Sequence, residues 1–145
     1  MTTIEIMADI ALTDHDVPAT DELTALYSSV GWSAYARDPA LLHDAVARSL
    51  RVVSAREEGN LVGLARVVGD GLTIVYLQDI LVAPTHQRAG IGSRLFDRVF
   101  EPFGAVRQKV LITDDEPRQQ AFYHQMGFVE IREMNHPIRA FVRFN

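Results

Sequence analysis

Two glycines, Gly90 and Gly92, stand directly ahead of an amphipathic stretch in "HQRAGIGSRL", residues 86–95. Glycines at such a corner leave main-chain N–H groups open to an approaching ligand. A helix that starts there has first-turn N–H groups without helical partners and a partial positive charge, which together suit a phosphate or diphosphate. Arg88 would add a charge-assisted contact. An ordinary tight turn, whose glycines only reach positive φ, would use the same residues. Two nucleotide-binding patterns fail on detail. A P-loop needs a lysine after its last glycine, and none follows Gly90 or Gly92. A dinucleotide fingerprint needs a third glycine where this chain has Leu95.

The corner has to be held by its neighbours. "TIEIMA" (3–8) alternates as a strand does. "PATDELTALYSSV" reads as a helix capped by Thr20 or Asp21, with Leu23, Leu26, Tyr27 and Val30 on one side and Gly31 ending it. In "RDPALLHDAVARS", Asp38 can cap a helix with Pro39 in its first turn, burying Leu41, Leu42, Ala45 and Val46. "LRVVSARE" and "LVGLARVVG" flank "EGN" as a hairpin, and "GDG" (69–71) turns the chain into "LTIVYLQDILV". The glycine corner then opens a helix with Ile91, Leu95, Phe96, Val99, Phe100 and Phe103 as its apolar stripe. "VRQKVLIT" is a strand, and "EPRQQAFYHQM" a helix closed by Gly127. "FVEIRE" and "IRAFVRF" read as two closing strands. The class expected is mixed α/β in one domain, 1–145, with a mostly antiparallel sheet of about seven strands and about four helices.

Composition narrows the functions. The chain has 145 residues, 48% hydrophobic and 23% charged, with a net charge of -5. That balance argues against nucleic-acid binding, which normally carries a basic face. No apolar run reaches the roughly 18 residues of a membrane span, and the first residues are acidic where a signal peptide is basic. A cytoplasmic protein is expected. With no cysteine, disulfides, a thiolate nucleophile and thiolate-ligated zinc on this chain are excluded. The five histidines (His15, His43, His86, His124, His136) have no metal-ligand spacing, and no metal is expected.

"LQDILVAPTHQRAGIGSRLFDRV" resembles the acetyl-CoA-binding motif of the GNAT superfamily of N-acetyltransferases. Gln87, Arg88, Ala89, Gly90, Ile91 and Gly92 match its [QR]-x-x-G-x-[GA] core. "AFYHQMGF", residues 121–128, matches the second block at the family's usual separation. The segment "LYSSVGW…RVVSA" is similar to small bacterial acetyltransferases and, distantly, to the plant serotonin N-acetyltransferases. The resemblance implies a GNAT fold splayed beside the acetyl-CoA site. Main chain at Ile80, Leu81 and Val82 would pair with the pantetheine arm. N–H groups from Arg88 to Ser93 would hold the diphosphate, and main-chain donors near Val82 would polarise the thioester carbonyl.

By the same resemblance Tyr123 is the acid that protonates the departing thiolate, since a phenol of pKa near 10 keeps its proton at neutral pH. Packing beside Phe122 is the structural alternative. The base is less evident. The polyamine acetyltransferases, similar through "YLQDILV", carry a glutamate where this chain has Gln78, and glutamine takes no proton. Alternation puts Gln78 and Asp79 on opposite faces, so Asp79 serves as base only if a bulge or the splay turns it to the site. Pairing within the sheet is its other reading. Relatives often have an asparagine seven residues before the tyrosine; here it is Glu116, which Asp114 or Asp115 would only partly replace. Trp32, Tyr35 and Tyr76 are candidates for the acceptor pocket, or for core packing.

The reading is an acetyl-CoA-dependent N-acetyltransferase acting on a primary amine, small molecule or lysine side chain, by direct attack in a ternary complex. A non-catalytic acetyl-CoA-binding module is the alternative. A nucleotide-dependent enzyme is a third class, which stabilisation by ATP or NAD above that by acetyl-CoA would reveal. The apolar alternation of "IRAFVRFN" at a sheet edge suggests a homodimer.

Overall fold

The computed structural model describes residues 9–145, so the strand expected at 3–8 lies outside the described residues. Two compact units divide the chain after Leu111.

The first unit is a five-stranded sheet in the order β1-β2-β3-β4-β5. Its strands are β1 (Ile10–Thr13), β2 (Arg51–Glu57), β3 (Asn60–Gly69), β4 (Ile74–Val82) and β5 (Gln108–Leu111). The first four pair antiparallel, and β5 joins β4 in parallel. The β2–β3 turn uses Glu58 (φ 49°) and Gly59 (φ 83°), the doubly left-handed pair that matches strand twist in a two-residue hairpin. Gly69, at φ 132°, starts the next turn, where a Cβ would lie 2.4 Å from the Ile74 carbonyl oxygen. Asp70 fixes that turn. Its carboxylate accepts from the Leu72, Thr73 and Ile74 N–H groups at 2.8–3.0 Å and from the Thr73 hydroxyl at 2.7 Å.

Three helices cover one face: α1 (Thr20–Ser29), the single turn α2 (Ser33–Ala36) and α3 (Pro39–Ala47). Leu23, Leu26, Tyr27, Leu42 and Val46 from them meet Leu64 of β3 and Leu81 of β4 in one buried cluster. Asp38 caps α3 by accepting from the Leu41 N–H at 3.2 Å, as the Asp-Pro signal implied. Leu41, however, is 64% exposed, because only the Leu42–Val46 spacing of four faces the sheet. The cap of α1 is Ala19, not Thr20 or Asp21; Glu22 reaches back to accept from its N–H at 3.1 Å. On the other face α4 (Ile91–Phe100) buries Ile91, Leu95, Phe96, Val99 and Phe100. Gly63 lets it approach, since a Cβ there would lie 3.0 Å from Leu95 Cδ1.

In the second unit α5 (Pro117–Gln125) is capped by Glu116, whose carboxylate accepts from the Arg118 and Gln119 N–H groups at 3.1 and 3.3 Å. It ends in a Schellman turn: Phe128 N–H donates to the Tyr123 carbonyl, Gly127 N–H to that of His124, and Gly127 has φ 91°. The two closing strands are not formed. "FVEIRE" gives way to a 3-10 turn at Ile131–Glu133, and 138–144 is irregular, with Phe141 94% exposed. Alternation makes a ladder only where a partner strand supplies the hydrogen bonds, and these segments have none among the described residues. Among the described residues the sheet has five strands against the seven or so expected, four of them anticipated and the fifth, β1, not. Among the described residues the α-helices number five, because the segment around Tyr35 winds one extra turn.

Candidate active site

The site is built on β4, which changes character midway. Its parallel pairing with β5 runs from Ile74↔Gln108 to Leu77↔Leu111 and stops. No described strand pairs with the outer edge of 78–82. On the inner side the register with β3 shifts at the same place, Val67 facing Leu77 but Arg66 facing Asp79. Gln78 is the extra residue of a β-bulge.

The bulge overturns the expectation from simple alternation. Gln78 and Asp79 both turn to the face covered by α1–α3. Gln78 Nε2 donates to the Tyr35 hydroxyl at 3.2 Å, while Asp79 accepts from the Tyr27 hydroxyl at 2.9 Å. Gln78 is exposed and Asp79 buried.

Asp79 Oδ2 also accepts from Arg66 Nε at 2.6 Å, and the two side chains are only 3% and 6% exposed. Arg66 reaches on to Ser49 Oγ at 3.3 Å. Burial alone would lower the Arg66 pKa, but the Asp79 charge, the hydrogen bond to it and the Tyr27 hydroxyl together outweigh burial and hold the pKa above the ordinary value. Burial, helped by Asp79, pushes the Tyr27 hydroxyl far above its usual value, so it stays a donor. A carboxylate held this way is a partner in the core, the sheet-pairing alternative to a base. Neither Arg66 nor Tyr27 stood out as functional in the sequence. The usable signal was a lone arginine inside the apolar run "LVGLARVV".

Trp32 and Tyr35 pack half-buried against the helix-side cluster. Their rings lie 5.8 and 5.4 Å from that of Tyr27, edge to face, and 6.3 Å from each other. Tyr76, on β4, is half-buried, and burial and the neighbouring Tyr35 raise its hydroxyl pKa. Tyr35, Tyr76 and Gln78 thus share one side of β4, a polar patch with aromatic walls.

At the end of β4 the Ala83 N–H donates to the Val62 carbonyl at 2.8 Å. Alternation along an antiparallel ladder then turns Leu81 main chain to β3 and that of Ile80 and Val82 to the open edge. Of the three residues expected to offer main chain there, Leu81 is committed to the sheet. Gln87 Nε2 donates to the Val82 carbonyl at 3.0 Å and folds the glycine corner onto the strand end. Arg88 (φ 67°) and Gly90 (φ 80°) are left-handed, and Gly90 is the N-cap of α4. A Cβ on Gly90 would meet no atom within 4 Å. The first turn of α4, carrying Ile91, Gly92 and Ser93, has no acidic residue and, among the described residues, no side-chain cap. An exposed helix N-terminus thus adjoins an unpaired strand edge, which fits a diphosphate followed by an extended, amide-bearing arm.

Tyr123, in the second unit, lies on α5 half-buried, its ring 5.2 Å from that of Phe122. The Glu116 carboxylate is occupied in capping α5. Among the described residues no cluster of acids and histidines could hold a metal, and no helix is long and apolar enough to cross a membrane.

Known proteins share this fold. A family model described as an acetyltransferase (GNAT) domain matches residues 48–130. The chloroplastic GCN5-related N-acetyltransferase 1 of Arabidopsis thaliana is 29% identical over 111 residues, 75% of this chain and 55% of that protein. An acetyltransferase-named protein of Gibberella zeae is 28% identical over 123 residues, 83% of this chain and 67% of its own length. A GNAT-family acetyltransferase structure from Streptococcus pneumoniae superposes with a TM-score of 0.80 at 29% identity, covering 94% of this chain and 99% of that one. The chain belongs to the GNAT family of acetyltransferases.

Proposed function

We propose that the chain, working as one GNAT domain, transfers the acetyl group of acetyl-CoA to a primary amine within a ternary complex. The observation that carries this is the unpaired edge of β4 running into the glycine-capped N-terminus of α4. Main-chain N–H groups of Ile80 and Val82 pair with the pantetheine arm, and those from Arg88 to Ser93 hold the diphosphate. The amine enters beside Trp32, Tyr35, Tyr76 and Gln78.

The amine nitrogen bonds to the acetyl carbon, the C–S bond breaks, the thiolate gains a proton and the nitrogen sheds one. Main-chain N–H donors at the strand edge favour charge on the carbonyl oxygen. Tyr123 is the proposed acid, on the strength of the family match and its phenol chemistry. Asp79 is left out of the proton path, because its carboxylate is taken by Arg66 and Tyr27. The nitrogen's proton goes to water.

Small amine and lysine side chain both suit this chemistry. A cytoplasmic location and a homodimer belong to the same proposal, the latter supported by the exposed Phe141 and Phe144 of the apolar C-terminal segment.

Thiol release from acetyl-CoA against arylalkylamines, polyamines, amino acids and lysine peptides tests the reading, with no protein thiol to interfere. Release with one amine class supports it and names the acceptor. Binding of acetyl-CoA without release from any acceptor favours the non-catalytic module. Tyr123→Phe keeps acetyl-CoA binding and loses at least about tenfold in turnover; full turnover removes the acid assignment.

A further inference from the structure

We infer that Arg66, Asp79 and Tyr27 act as positioning residues, pinning the β4 bulge at Gln78 and through it both ligand-facing surfaces of the strand. This rests on the site proposed above.

A β-bulge can slide unless something fixes its register, because a one-residue slip exchanges the faces of every side chain beyond it. Here the inserted residue is Gln78, and Asp79 comes to lie opposite Arg66 on the helix side. A slip would swing Asp79 to the α4 face and strand the Arg66 guanidinium in the core beside the Tyr27 hydroxyl. Buried charges left without partners are costly, so the three groups select one register. Leu81, opposite Leu64, reinforces the choice by entering the helix-side core.

Two consequences follow from that register alone. Gln78 reaches Tyr35 on the acceptor side. Ile80 and Val82, not Leu81, turn their main chain to the open edge. The ion pair touches neither ligand surface, yet both depend on it.

A purely structural role would let an apolar replacement serve equally well. Exchanging a whole buried ion pair for apolar residues of similar volume often preserves stability. The decisive protein is therefore the triple variant Tyr27→Phe/Arg66→Met/Asp79→Leu, read by thermal unfolding, by acetyl-CoA titration and by cross-strand NMR contacts without ligand. We expect a folded protein whose melting temperature stays near the wild type. The Arg66–Asp79 and Val67–Leu77 register contacts give way to a mixture. The acetyl-CoA dissociation constant rises about tenfold, the effect of losing about one net hydrogen bond to the ligand.

Wild-type register and affinity in that folded variant would overturn the inference. Should the triple variant not fold, Tyr27→Phe decides by the same readouts: a perturbed Gln78 side-chain amide and weakened acetyl-CoA binding support it, and wild-type values for both overturn it. If acetyl-CoA leaves the Ile80 and Val82 amides of the wild type unmoved, the site reading fails. The register measured without ligand still judges the lock.

Discussion

The two halves of β4 are held in place by different means. From Ile74 to Leu77 the strand is hydrogen-bonded on both sides, and its entry is fixed by the Asp70 turn. From Gln78 to Val82 it is paired on one side only, and polar contacts to Tyr35, Tyr27, Arg66 and Gln87 hold its course. The first half is anchored by two backbone ladders, the second by one ladder and by side chains. Freeing a strand edge for a ligand removes the ladder that would otherwise define it, and side-chain chemistry has to take over.

The comparison breaks most sharply at Asp79. Asp79→Asn leaves the Arg66 charge buried without its counter-ion, and breaking a buried pair from one side costs about 3–5 kcal/mol. The expected result in chemical denaturation is a loss of that order. Amide exchange should accelerate first in 78–82, ahead of Ile74–Leu77; uniform acceleration along β4 would erase the distinction between its halves.

Gly69→Ala attacks the ladder-anchored half instead. A methyl group 2.4 Å from the Ile74 oxygen, on a residue at φ 132°, forces the turn to move, at about 1–3 kcal/mol for backbone strain. Melting should show a loss smaller than that of Asp79→Asn. Exchange should rise at Ile74 and Val75 while acetyl-CoA affinity stays close to wild type.

Asp70→Asn probes the same turn through pH. The Thr73 hydroxyl and the Thr73, Ile74 and Leu72 N–H groups hold the Asp70 carboxyl well below its ordinary 3.8. A carboxyl lowered by folding adds stability above its unfolded value and loses it as pH falls through the folded one. The wild type should therefore exceed the variant slightly at neutral pH, with the gap closing below about pH 4. A constant gap from pH 7 to pH 3 would mean the charge contributes nothing.

How far the sequence revealed these features follows from what a local pattern encodes. The Asp38-Pro39 cap, the Glu58-Gly59 hairpin and the Gly90 helix start are set by residues within a few positions, and all three were legible. The bulge was not. "YLQDILV" alternates as well with an inserted residue as without one, and the partner that decides the matter, Arg66, lies thirteen positions away. The closing segments failed for the opposite reason. Their alternation is clear, but a strand needs a neighbour as well as a pattern, and Phe141 and Phe144 remain exposed. At the site, the glycine corner came from spacing, whereas the commitment of Asp79 to the core needed the fold.

The smallest effect sharpens the comparison from inside the core. Ser54 of β2 stands opposite Leu64, whose side chain joins the helix-side cluster, so it shares a face with Asp79. It is fully buried, and its hydroxyl has no hydrogen-bond partner among the described residues. A buried, unsatisfied hydroxyl costs about 1–3 kcal/mol, offset in part by the packing its oxygen provides. Ser54→Ala removes the hydroxyl and leaves a void of one atom, so the melting temperature should hold or rise slightly. Acetyl-CoA binding should be unchanged, because nothing in the register of β4 depends on Ser54. A clear loss of stability would show that Ser54 donates to a bound water. Buried polar groups on this face would then matter whether or not they pin a strand.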